Sequence, residues 1–240
     1  MTTGAMVLKC CVTTQLFSGA RDIGMIVFDL DDTLYLERDF AFSAYRHLDK
    51  VVQTEIGITG FGATCRAFFM AGERQHIFDR ACKKLGLSVD PEFIAKLIAA
   101  YRSHPPDIAL CPDVVRFFAR LDAPLGLISD GPAHMQRNKL TALALEDKIA
   151  HVRLTGDWPE GFGKPHPRAF EEMETYGAQR TPMIYIADNP AKDFVTPKAR
   201  GWLTIQIMRP GGVHGPMPRD QAHAAAKVIE TFDELEERIF

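Results

Sequence analysis

The chain has 240 residues, 46% apolar and 25% charged, which is the composition of an ordinary soluble globule and suits one large domain or a core with a small insertion. Net charge is −3 with no basic run, so nothing points to nucleic acid, and no apolar run approaches the length of a membrane span. The five cysteines (Cys10, Cys11, Cys65, Cys82 and Cys111) show no metal-ligand spacing and read as reduced thiols of a cytoplasmic protein.

Residues 1–23 read as an N-terminal extension. The stretch VLKCCVTTQLF is interrupted by Lys9 and has no clear small-residue cleavage site, so it does not read as a signal peptide. Met25 to Phe28 form an apolar run that predicts a buried strand, followed by Asp29, Leu30, Asp31, Asp32 and Thr33. Side chains alternate along a strand, which puts Asp29 and Asp31 on one side and leaves Asp32 off that face as a structural residue. The strand thus delivers two carboxylates at its C-terminal end, where open α/β sheets bind ligands. Neighbouring carboxylates repel, so the pair calls for a cation, a shared proton or both.

Residues 38–56 carry Phe40, Ala44, Leu48 and Val52 at helical spacing, and Gly57 and Gly60 end that helix. Two more helical patterns cover 62–71 and 73–85, with Gly86 as a stop. Asp90-Pro91 is an N-cap with proline in the first turn, opening a helix to Ser103, and His104-Pro105-Pro106 breaks it. The stretch 38–104 therefore reads as an all-helical insertion of the size of a four-helix cap.

From Pro112 the pattern alternates. A helix over 113–121 leads to the strand PLGLIS (124–129), and Gly131-Pro132 turns into a helix over 133–145. HVRLT (151–155) is a weaker strand, followed by the loop GDWPEGFGKPHP and a helix over 167–176. MIYIA (183–187) ends at Asp188, a helix spans 191–200, and LTIQI (203–207) is the next strand. Arg209-Pro210-Gly211-Gly212 reads as a turn opening a long loop, residues 226–229 as a short edge strand, and Thr231-x-x-Glu234 as the capping box of a final helix. Strands alternating with helices predict right-handed βαβ units and a parallel sheet.

The apolar strand with D-x-D-x-T at 29–33, Ser129 at the end of LGLIS, Lys164 in GKPHP, and Asp188 with Asp193 in YIADNPAKD occur in the order of the four motifs of the haloacid dehalogenase superfamily, which this chain resembles from about Met25 to Phe240. The resemblance implies an α/β fold, a Rossmann-like doubly wound parallel sheet formed by 24–37 and 105–240, with the helical cap at 38–104 inserted between the first two motifs. It implies that Asp29 is a nucleophile forming an aspartyl-phosphate, and that Asp31 is the acid that protonates the leaving oxygen and then the base for water. Thr33, Ser129, the backbone N–H of Asp130, and Lys164 would hold the phosphoryl group. Asp29, Asp31, Asp188 and Asp193 against Lys164 leave the site strongly negative, and oxygen-only ligands favour Mg²⁺. By resemblance Asp29 and Asp188 ligate through carboxylates, Asp31 through its carbonyl, and Asp193 supports them from behind.

The dehalogenases and phosphonatases of the superfamily lack an Asp two residues after the nucleophile, so Asp31 favours phosphate esters. The expected activity is Mg²⁺-dependent hydrolysis of a small phosphorylated metabolite, a nucleotide or sugar phosphate, by a monomer or homodimer. A phosphosugar mutase and a non-catalytic scaffold that binds a phosphorylated ligand are the alternatives; a receiver-like signalling domain fits less well, given the cap and Asp31. In the cap Arg74 is the candidate for meeting an anionic substrate, against a solvated arginine as the plainer reading. His166 reads as loop packing.

Overall fold

The structure is a computed structural model and describes residues 23–177, 182–215 and 217–235. The extension expected at the N-terminus lies outside the described residues except for Ile23, which is buried in the core instead. Among the described residues no helix is long and apolar enough to cross a membrane.

The strands β1 (Met25–Phe28), β2 (Leu125–Ser129), β3 (His151–Leu154), β4 (Met183–Ala187), β5 (Leu203–Ile207) and β6 (Lys227–Ile229) form one six-stranded sheet in the order β3-β2-β1-β4-β5-β6. Every pairing is parallel. The chain runs outward from β1 through β2 to β3, then returns to the other side of β1 to lay down β4. That reversal leaves a crevice beyond the carboxyl ends of β1 and β4, the place where doubly wound sheets bind ligands.

The unbroken apolar run of β1 has a physical cause: it is covered on both faces. Ile26 and Phe28 pack with Phe117, Leu127, Leu140 and Ile186 on one face. Met25 and Val27 pack with Phe170, Met173, Tyr185 and Trp202 on the other. The covering helices are α5 (Pro112–Arg120) and α6 (Ala133–Ala142) on the first face, and α7 (Arg168–Tyr176) on the second. At Gly126 a Cβ would lie 2.8 Å from Met173 Sδ and 3.0 Å from Met25 Sδ, so the missing side chain lets α7 approach the sheet.

Between β1 and β2 the chain forms α1 (Glu37–Ile56), α2 (Phe61–Met70), α3 (Ile77–Lys84) and α4 (Pro91–Ser103). These helices share their own apolar cluster, built around Leu48, Phe61, Cys65, Phe69 and Leu97. Asp90 caps α4 by accepting a bond from Glu92 N, with Pro91 in the first turn.

Several helices are shorter than their sequence patterns. The third begins at Ile77 rather than 73, because Gly72 and His76 stand at φ +86° and +53°, outside helical geometry. The helix expected over 133–145 ends at Ala142, ahead of Ala144 at φ +50°. The helix expected over 191–200 shrinks to α8 (Val195–Ala199). Upstream of it, Asn189 Oδ1 accepts from Ala191 N at 3.0 Å and Asp193 Oδ2 accepts from Asn189 N at 3.0 Å, so side chains take backbone donors there. The capping box at Thr231 and Glu234 forms as expected, but it opens a 3-10 turn over Phe232–Glu234, and residues 236–240 lie outside the described residues.

Candidate active site

Strand β1 ends at Phe28, and the chain then turns instead of staying extended. Asp32 stands at φ +50°, a conformation that Asp tolerates better than most residues. It accepts from Glu37 N at 2.8 Å and Val213 N at 2.6 Å, which fixes both the entry to α1 and the loop after β5. Its structural reading therefore holds, although through a turn rather than strand alternation.

Lys164 stands at the centre of the site with its side chain fully buried. Its Nζ lies 2.5 Å from Asp29 Oδ1, 2.8 Å from Asp193 Oδ1 and 3.0 Å from Tyr185 Oη. Burial works against its charge, but Asp193 and Asp29 outweigh this and hold its pKa well above the ordinary lysine range. Asp29, Asp188 and Asp193 each bring a carboxylate oxygen to within 4.8 Å of the others, and all three are buried. Burial, then the neighbouring Asp29 and Asp193, push Asp188 up to about 9. Burial also pushes Asp29 up to about 6, with Lys164 pulling the other way. Without a cation the burial of these carboxylates favours a proton on Asp188; a hard divalent ion with oxygen ligands would relieve the site, and the donor set fits Mg²⁺.

On the opposite side Asp31 is held by residues that the sequence reading did not single out. Lys139 Nζ donates to its Oδ1 at 2.6 Å, Tyr35 Oη donates to the same oxygen, and Gln136 Nε2 donates to Oδ2 at 2.9 Å. Burial alone would raise the Asp31 pKa, but Lys139 with these hydrogen bonds outweighs it and holds the group below the usual carboxylate range. The same Gln136 nitrogen reaches Ser129 Oγ and the Asp130 carbonyl, both at 2.7 Å. A sequence signal existed: Ala133, Gln136, Lys139 and Leu140 share the buried face of α6, so polar residues sit where an apolar stripe belongs.

Thr33 is fully buried, and its Oγ1 has no hydrogen-bond partner among the described residues. Such an orphaned hydroxyl is costly unless a ligand oxygen meets it. Asp130 accepts from Thr155 Oγ1 at 2.8 Å and from Lys164 N at 3.1 Å, and pairs with Lys192 at 2.6 Å. Burial acts against its charge, but Lys164 and Lys192 prevail and hold its pKa low. Gly156 makes this corner possible, since a Cβ there would lie 2.1 Å from Gly131 O.

The structure gathers Asp29, Asp31, Ser129, Asp130, Lys164, Asp188 and Asp193 into one connected or adjoining group. Arg74 has other partners: it donates to Phe69 O at 2.6 Å and Glu73 O at 2.9 Å and lies over the Phe69 ring at 4.0 Å. Arg209 donates to Thr33 O at 2.7 Å and pairs with buried Asp113 at 3.1 Å, which makes its turn an anchor for the site. His166 accepts from Arg168 N and packs against Phe162, as loop packing requires.

Residues 23–199 match the haloacid dehalogenase-like hydrolase family. A relative called glyceraldehyde 3-phosphate phosphatase from Methanocaldococcus jannaschii is 28% identical over 197 residues, covering 77% of this chain and 84% of the relative. One of the same name from Pyrococcus abyssi is 25% identical over 193 residues, covering 76% and 80%. Among solved structures, the 2-haloacid dehalogenase of Pseudomonas syringae superposes with a TM-score of 0.58 at 20% identity, covering 90% of this chain and 98% of that one. The putative hydrolase YfnB of Bacillus subtilis, bound to magnesium, superposes with a TM-score of 0.56 at 17% identity, covering 88% and 96%. At these identities the solved structures establish a shared fold. The family match spans most of the sheet and both carboxylate-bearing strand ends, and the chain belongs to the haloacid dehalogenase-like hydrolases.

Proposed function

We propose that this hydrolase is a Mg²⁺-dependent phosphatase acting on a small phosphorylated metabolite through an aspartyl-phosphate. The observation that carries the reading is the pairing of two differently held carboxylates at one strand end. Asp29, a member of the acidic triad, is tied to Lys164, whereas Asp31, outside the triad, is tied to Lys139. A nucleophile and a separate acid–base group are what in-line displacement at phosphorus requires. The relatives named as phosphatases support the same class.

In this reading Asp29 attacks phosphorus while Lys164 offsets the charge on the carboxylate and the phosphoryl oxygens. Thr33 Oγ1 gives its free hydrogen bond to a phosphoryl oxygen, and Ser129, held by Gln136, lines the same space. Asp31 in its protonated form gives its proton to the leaving alkoxide, and the carboxylate so formed takes one from the water that hydrolyses the acyl phosphate, which restores the acid for the next cycle. Its ionised state, favoured by Lys139, is the one that accepts the water proton. Asp29, Asp188 and the Asp31 carbonyl would hold Mg²⁺, which when bound offsets the negative charge of the site. Asp193, engaged by Lys164 and Asn189 N, supports these groups. The helices α1–α4 serve as a cap over the site, with 24–37 and 105–240 as the core. Water exclusion by such a cap favours transfer to Asp29 over side reactions.

Phosphate release tests this directly, with glyceraldehyde 3-phosphate, p-nitrophenyl phosphate, nucleotides and sugar phosphates as substrates, with and without Mg²⁺. Mg²⁺-dependent release from at least one ester, lost in Asp29→Asn, is expected. Release that persists in Asp29→Asn would overturn the mechanism. No release from any ester, together with no labelling of Asp29 by acetyl phosphate, would leave a scaffold that binds but does not turn over.

A further inference from the structure

Strands β2 and β4 flank β1 in the sheet. Asp130 follows β2 and Lys192 follows β4, yet their side chains meet at 2.6 Å across the carboxyl end of β1 that carries Asp29. The pair is a clasp over the strand of the nucleophile. Its side chains keep 33% (Lys192) and 20% (Asp130) exposure, whereas the Lys164 side chain keeps none. It is therefore open to solvent, unlike Lys164. The charge of Lys192 reaches Asp29 as well.

Asp130 poses an electrostatic problem. It lies outside the Asp29–Asp188–Asp193 triad, so a cation bound there would not cover it. Lys164 gives Asp130 its backbone N–H and the Coulombic pull of its ammonium, but that ammonium pairs directly with Asp29 and Asp193, and the direct ion pair to Asp130 comes from Lys192. An ionised carboxylate beside the nucleophile would repel an incoming phosphate dianion.

We propose that Lys192 is a positioning residue for the phosphoryl group, acting by neutralising Asp130 so that an anionic ester can settle in front of Asp29. This rests on the phosphatase reading. Lys192 need not touch the substrate; its main effect passes through Asp130, the carboxylate it pairs with directly.

A double-mutant cycle with K192M and D130N separates these roles. The readouts are KM and kcat for p-nitrophenyl phosphate at fixed saturating Mg²⁺, and calorimetric affinity for inorganic phosphate. K192M is expected to raise KM and weaken phosphate binding by about tenfold or more, with a smaller change in kcat. K192R is expected to stay within about threefold of wild type, because it keeps the charge. In the D130N background the K192M penalty is expected to shrink below about twofold, since the charge that it offset is gone. An equal penalty in both backgrounds would overturn the proposal and make Lys192 a direct substrate contact. No penalty in either would overturn it too, leaving an exposed ion pair of little consequence. Should K192M fail to fold by circular dichroism, K192Q takes its place in the cycle. A wild-type protein that hydrolyses no ester and binds no phosphate sinks the phosphatase reading itself; turnover with an additive cycle sinks only the role of Lys192.

Discussion

Lys139 Nζ lies 2.6 Å from Asp31 Oδ1 across 108 positions of sequence, and the lysine is only 2% exposed. Its ammonium also lies over the Phe40 ring at 4.5 Å, at the start of the inserted helices. One residue of α6 thus joins Asp31, in the turn after β1, to the first turn of α1. Removing the cation would leave Asp31 with Tyr35 and Gln136 as its side-chain partners among the described residues. Lys139→Met is expected to destabilise the fold by about 3 kcal/mol, the low end for a broken buried pair, because the Asp31 side chain keeps 23% exposure. Urea denaturation measures it. Where the variant folds, turnover of alkyl phosphates should fall further than that of p-nitrophenyl phosphate, whose leaving group needs no proton.

Asp29 and Asp31 should fail differently. In the proposed mechanism Asp29→Asn removes the nucleophile, so turnover should vanish while the fold persists. Asp31→Asn keeps the nucleophile but loses the base for water. Rapid quench with labelled substrate should then show a longer-lived phosphoenzyme, at least with an aryl ester. Equal loss of phosphoenzyme in both variants would contradict the separate roles.

Thr33 offers an unusual separation of stability from function. Its hydroxyl is buried without a partner among the described residues, so Thr33→Val forfeits no hydrogen bond in the free protein. Thermal stability should change by less than about 1 kcal/mol in either direction. Phosphate affinity and kcat/KM should nevertheless fall by about tenfold, the worth of one lost hydrogen bond to a charged oxygen. A destabilised variant with unchanged affinity would show that the hydroxyl serves the fold.

The acidic triad predicts how stability varies with pH. Asp29 and Asp188 rise from the ordinary 3.8 to about 6 and about 9, chiefly through burial and then through neighbouring charges. Glu37 rises to about 7, again through burial first and then the Asp31 charge. Carboxyls raised in this way bind protons more tightly folded than unfolded, so their contribution falls as pH rises. Asp31 and Asp130, held low, lose their contribution only in acid below that window. In EDTA the melting temperature should therefore drop as pH climbs from about 5 to about 8. Added Mg²⁺ should raise it most at the upper end, where the carboxylates are free to bind the ion. Asp188→Asn should reduce both the slope and the Mg²⁺ effect. A metal-free profile that rises with pH would refute this account.

Much of the site could be read directly from the chain because its chemistry is carried by strand ends. An apolar run of strand length followed by Asp, Ser or Asp announces both the element and its functional tip, as at Phe28–Asp29, Ile128–Ser129 and Ala187–Asp188. Local composition also marked the proline-capped start of α4 and the glycine end of α1. Helix lengths were less legible, because Asn189 and Asp193 take backbone donors that the helical pattern would have used.

The sequence by itself determined the parallel α/β class, the place of the helical insertion and the identity of the core carboxylates and lysine. The class and the insertion follow from apolar periodicity, whereas the carboxylates and the lysine follow from resemblance to the four superfamily motifs. Tertiary structure alone decided which cations answer which anions. Lys139, Gln136 and Lys192 lie on other elements than the carboxylates they hold, and only sheet order brings α6 to Asp31 and the β4 loop to Asp130. It also decided that Arg74 bonds to carbonyls of its own helical segment and that Arg209 braces Thr33. Coulombic and hydrogen-bond partnerships depend on distance in space, and spacing along the chain does not encode it.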